Sequence, residues 1–242
     1  MRIKVSPMAQ ARSRSHALRI AATLLVVAGS LVGCGKNVAD GFPLEVGFQP
    51  LESVATSVTF PPAAGNETYP QVINVVAGPQ GGHYTSYGRG YLHASLAQVY
   101  QALHDPAASY IHNYNNAPRL DDVPGNPFMN EEPFPVSFRV RYASPTGIPG
   151  YGDAKFDVTY RAGPLDGTDA APVKIGERYQ KTWGIQNIEV MSGSLVASEV
   201  APGVTAVEMV AWLKATTQDQ SDCDGTVRDL YGDIVAKLAT MP

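Results

Sequence analysis

Cysteine is almost missing from this chain: its 242 residues hold two, Cys34 and Cys223. No disulfide framework can therefore stand in for a hydrophobic core. Charge is also sparse, 17% of residues, with a formal net charge of −4 and no basic run. Such a chain has no general electrostatic attraction for nucleic acid phosphates or anionic lipid heads. The motifs of several chemistries are absent as well. There is no Gly-x-Ser-x-Gly to present a nucleophilic serine, Gly88-Arg89-Gly90 lacks the third glycine of a dinucleotide fingerprint, and no Gly-Lys-Ser or Gly-Lys-Thr forms a P-loop. Four of the five histidines, His83, His93, His104 and His112, fall within thirty residues, yet none makes a His-x-x-x-His pair. They are read as surface or partly buried histidines, so neither a metal site nor a cofactor is expected.

What is present starts at the N-terminus. Arg2, Lys4, Arg12, Arg14 and Arg19 occur without an acid and precede the apolar run Ile20 to Ala28. This is the order of a secretory signal, and the run is too short to span a bilayer. It ends in Leu31-Val32-Gly33-Cys34, which resembles the lipobox of bacterial lipoproteins. By that resemblance residues 1–33 are a signal peptide and Cys34 becomes an acylated N-terminus; the alternative is a cleaved signal with a cysteine nearby. Gly35 in place of aspartate implies the outer membrane. Removing residues 1–33 takes away five basic residues and no acid, which brings the chain near −9. Membrane attachment must then come from the lipid on Cys34. Cys223 is left without a partner in the chain and is read as a packed, inert thiol at a helix start.

Residues 34–82 are rich in Pro, Gly, Ala and Asn and read as a tether with one or two strand-like pieces, such as Val72 to Val76. A domain follows over residues 83–242. A strand from about Tyr84 to Ala94 runs into a helix that Ser95 and Gln98 can close as a capping box, with Leu96, Val99, Tyr100 and Leu103 on one side and Pro106 as its stop. Ala107 to Asn113 is a candidate second short helix, and Asn115 to Pro127 a turn-rich loop. The period then changes to two: Val136, Phe138, Val140 and Tyr142, and Phe156, Val158 and Tyr160, alternate with polar residues. A loop is expected over Gly163 to Pro172, strands over Arg178 to Trp183 and Ile188 to Val190, a turn at Met191-Ser192-Gly193-Ser194, then strands over Leu195 to Val200 and through Val207 to Leu213. The last element is a helix capped by Asp222 or Asp224, whose stripe Val227, Leu230, Tyr231, Ile234, Val235 and Leu238 must lie on one face of the sheet.

Strand, two short helices, six or seven antiparallel strands and a final amphipathic helix is the order of the START-like helix-grip domains, which include polyketide cyclase-like and Bet v 1-like proteins. The chain resembles them over roughly Tyr84 to Thr240. The most specific likeness is Ala94-Ser95-Leu96-Ala97-Gln98-Val99-Tyr100-Gln101-Ala102-Leu103-His104-Asp105-Pro106, with Tyr100 where that group usually has tryptophan. The resemblance implies an α+β fold, a curved sheet around a long C-terminal helix with a cavity between them, and carries no catalytic residue. Phe138, Tyr142, Phe156, Tyr160, Tyr179, Trp183 and Tyr231 are many large rings for a small sheet. Phe138, Tyr160, Trp183, Met209, Leu213, Leu230, Tyr231 and Ile234 are accordingly expected to line an apolar site between sheet and helix. The leading expectation is a lipid-anchored envelope protein that binds an apolar or amphipathic small molecule and no nucleic acid. A cyclase- or hydrolase-like enzyme using the same cavity, and an envelope scaffold that binds another protein, are the alternatives.

Overall fold

The structure, a computed structural model, describes residues 51–104, 136–144, 154–184, 187–216 and 218–242. The expected signal peptide at residues 1–33, Cys34, the candidate helix at 107–113 and the expected loop at 115–127 lie outside the described residues. Seven strands form one antiparallel sheet: β1 (Ile73–Ala77), β2 (Tyr84–Leu92), β3 (Val136–Ser144), β4 (Ala154–Thr168), β5 (Ala171–Gly184), β6 (Ile188–Ala201) and β7 (Val204–Ala215), in the spatial order β1-β2-β7-β6-β5-β4-β3. Strands β3 to β7 are neighbours in sequence and in space. The early strand β2 closes the sheet by pairing with the late strand β7.

Among the described residues two helices stand on one face, here the inner face. Helix α1 (Leu96–Leu103) begins as its residues require: the Ser95 side chain accepts from the Gln98 backbone N–H while the Gln98 side chain accepts from the Ser95 N–H, so two otherwise orphaned donors are satisfied. Its buried residues Leu96, Val99, Tyr100, Ala102 and Leu103 pack chiefly on β5. Helix α2 (Gln220–Leu238) packs chiefly on β2, then on β1, β7 and α1. Its cap is Asp219, with Asp222 as the reciprocal residue of the box. Neither Asp222 nor Asp224 is the cap, because the first is taken up in that box and the second accepts a hydrogen bond from Ser86. The architecture is a helix-grip α+β fold: an antiparallel sheet holding its C-terminal helix.

Two expected breaks are absent. Met191 to Ser194, a turn by composition, lies in the middle of β6, and the expected loop from Gly163 narrows to a hairpin turn after Thr168. The segment that begins at Leu51 lies against the outer face. Glu52 pairs with Arg178 at 3.0 Å, Val58 is fully buried and its carbonyl accepts from Arg89 at 2.6 Å, and the Phe60 ring stacks on Tyr91.

Candidate functional site

Antiparallel register puts directly opposed residues on one face, and here it lays a continuous row across the inner face. From β3 to β2 the row reads Phe138, Tyr160, Tyr179, Gly193, Ala211 and Ser86. A parallel row reads Val136, Ala162, Glu177, Leu195, Met209 and Gly88. The first row is aromatic at one end and polar at the other. Phe138 stacks on Tyr160 at 5.0 Å, Tyr160 leads to Tyr179 at 5.9 Å, and Tyr142 stacks on Phe156 beside them at 5.1 Å. The hydroxyls of Tyr142 and Tyr160 satisfy each other at 2.7 Å.

Gly193 is where the row thins. A Cβ there would collide with the Tyr179 hydroxyl and the Val210 carbonyl, so the glycine lets the Tyr179 ring lie across β6. The neighbouring Ala211 carbonyl accepts from the Cys223 thiol at 3.5 Å, which brings the start of α2 beside the tip of that ring. Burial pushes the Cys223 thiol up to about 11 against the Ser86 hydroxyl, so it stays protonated and unreactive at neutral pH. At the row's polar end the Ser86 hydroxyl donates to Asp224 at 2.5 Å, and the Gln220 amide lies 2.9 Å from Ser86 Oγ, Asp224 and the Thr85 carbonyl.

Buried polar side chains on β5 break the pattern on this face: Lys181, which has its own partner, and two more. Glu177, 4% exposed, and Tyr179, 2% exposed, stand two residues apart on the inner side of β5. Neither Glu177 Oε2 nor the Tyr179 hydroxyl has a hydrogen-bond partner among the described residues. Ala162 and Leu195 flank Glu177, and burial among them pushes its carboxyl up to about 8. It is a neutral acid at pH 7, a hydrogen-bond donor rather than a charge. The Tyr179 phenol is held well above its ordinary range by burial and then by the acidic groups of Cys223 and Glu177. The inner face thus offers two neutral donors inside an apolar wall.

Of the residues expected to line a site, Phe138, Tyr160, Met209, Leu213, Tyr231 and Ile234 belong to one buried cluster, and Leu230 packs against it partly buried. The Tyr231 hydroxyl is spent on the Tyr91 carbonyl at 2.6 Å. Trp183 is not in that cluster. A register shift between Asp157 and Val158 sets it opposite Asp157, whose neighbours Phe156 and Val158 face inward, so Trp183 falls on the outer side. Glu177 lies outside the strand expected over Arg178 to Trp183, although Ile175, Glu177 and Tyr179 alternate in phase and a strand counted from Ile175 includes it. The histidines among the described residues, His83, His93 and His104, do not converge. His83 meets the Trp212 ring, His93 lies by Glu67 and the Tyr69 carbonyl, His104 lies by the Tyr100 carbonyl, and no metal-binding group occurs among the described residues.

No protein-family model matches this sequence, and no curated protein matches it. Solved structures of similar shape include the lipid transfer and protein localization domain of human StarD13, with TM-score 0.45, 7% identity, and coverage of 69% of this chain and 82% of that one. A protein from Thermus thermophilus gives 0.43 at 14% identity, covering 65% and 99%. An aromatase/cyclase from a Streptomyces species gives 0.34 at 13% identity, covering 69% and 87%. All three scores lie below 0.5. The fold assignment rests on strand order and helix placement in the chain itself.

Proposed function

We propose that this protein is anchored in the outer membrane by acyl groups on Cys34 and binds an apolar or amphipathic small molecule between the inner sheet face and its helices. The observation that supports it is that Glu177 Oε2 and the Tyr179 hydroxyl, two residues apart on the inner side of β5, are buried without a hydrogen-bond partner among the described residues. An interior that needed only to be filled would carry leucine at 177 and phenylalanine at 179, since each buried unpaired polar group costs about 1–3 kcal/mol. A ligand that accepts from them removes that cost. Helix α1 packs chiefly on β5, the strand that carries both groups, and α2 chiefly on β2.

The test is native mass spectrometry of the protein extracted together with its membrane lipid. A ligand mass retained by the wild type and displaced by denaturation is the expected result; protein that is empty in every such preparation overturns the proposal. An enzyme of the cyclase or hydrolase kind is the second reading, favoured by the same Glu177 and Tyr179, because a neutral acid and a phenol on one face can hand protons to a bound molecule. A molecule released unchanged after prolonged incubation supports binding alone, and a chemically altered one supports the enzyme.

A further inference from the structure

Resting on the binding proposal, we infer that Glu177 and Tyr179 act as paired donors that grip one neutral acceptor oxygen, so that the ligand is an apolar molecule carrying a ketone, aldehyde or ester carbonyl. The two residues are i and i+2 on β5, which sets their Cα atoms roughly 7 Å apart on the same face. An oxygen that accepts from both would sit between their tips, at about 2.7–3.0 Å from each donor. Gly193 lets the Tyr179 hydroxyl lean over β6, on the side where Leu195 and Met209 continue the row of Glu177. The acceptor is thus set beside Leu195 and Met209, in the apolar part of that row.

The chemistry favours a neutral group. The Glu177 carboxyl keeps its proton at pH 7 because of burial and can donate it, and a phenol is a donor of similar strength. Neither compensates a full negative charge brought into an apolar site. Lys181, the cation on the same face of β5, already has a partner within the chain. Among the polar groups around the site, the Tyr142, Tyr160, Tyr231 and Ser86 hydroxyls are each hydrogen-bonded.

The experiment uses two probes of nearly the same shape, benzophenone and diphenylmethane, which differ in the carbonyl. Wild-type protein is expected to bind benzophenone at least about tenfold more tightly, a difference of about 1.4 kcal/mol, and to lower the carbonyl stretching frequency of the bound ketone in the infrared. Tyr179→Phe and Glu177→Leu should each remove most of that preference and return the band toward its position in dry solvent, leaving diphenylmethane binding unchanged. Glu177→Gln keeps a donor and should keep the preference, which carries the comparison if Glu177→Leu fails to fold. Equal binding of both probes by wild type and variants overturns the donor pair and leaves the apolar site standing. Binding of neither probe at its solubility limit overturns the binding proposal itself.

Discussion

A carboxyl buried at Glu177 couples the stability of the fold to pH with a definite sign. In the folded chain it holds its proton up to about pH 8, whereas its ordinary value is 4.5. Between those values the unfolded state binds fewer protons, so stability falls as pH rises, by about 1.4 kcal/mol per pH unit. Burial of Asp229, pushed up to about 6, acts in the same direction at lower pH. Urea unfolding between about pH 6.5 and 8.5 therefore isolates Glu177, and the wild type should lose roughly 2 kcal/mol across that window. Glu177→Gln should lose far less, since it has no proton to release; an unchanged slope in the variant would show that the carboxyl is not the group responsible. The neighbouring phenol gives a second expectation. Because the Tyr179 hydroxyl is buried without a partner, Tyr179→Phe should be neutral or stabilising by about 1 kcal/mol in ligand-free protein. A clear loss of stability would mean that the hydroxyl is satisfied in solution.

At the scale of elements, the seat of α2 is decided by a strand glycine. A Cβ on Gly88 would lie 2.6 Å from Val227 Cγ1 and 2.9 Å from Ile73 Cδ1, so the helix can approach β2 only because that position has no side chain. Gly88→Ala should cost about 1–3 kcal/mol by overpacking. Val227→Ala opens the space opposite, and the double variant should recover part of the loss. Thermal or urea unfolding of the four-protein cycle measures the coupling. Additive effects would show that the helix does not press on Gly88. The start of the same element is ambiguous in the sequence. Three acids stand at 219, 222 and 224, and any of them can cap a helix. Which one does so depends on where the chain leaves β7, and on Ser86 claiming Asp224.

For the whole molecule, the described segment from Leu51 lies on the outer face, opposite the helices, and joins the sheet as β1. If Cys34 carries the acyl chains, the 17 residues from there to Leu51 allow a separation of at most roughly 60 Å between bilayer and domain. No helix among the described residues is long and apolar enough to cross a membrane. Cys34→Ala should therefore move the protein from the membrane fraction to the soluble fraction with unchanged circular dichroism and unfolding midpoint. A variant that stays with the membrane, together with wild-type protein that carries no acyl mass, would remove the anchor from the proposal.

The sequence alone determined what is local. Ser95 and Gln98 announce the start of α1, the period of two announces β3, β4 and β7, and the stripe from Val227 to Leu238 announces α2, because caps and periodicities act within one or two turns or a few strand residues. These local patterns also determined the class of fold, since one apolar helix stripe and one apolar sheet face can be buried only against each other. Only the tertiary structure decided what depends on register. Gly193 reads as a turn by composition and is instead the passage for the Tyr179 ring. Trp183 counts inward by alternation, and one bulge opposite Asp157 turns it outward. Glu177 is an ordinary charged residue in the chain and becomes a neutral acid only when β4 and β6 set Ala162 and Leu195 beside it, for a carboxyl's proton affinity is fixed by neighbours that are remote in sequence.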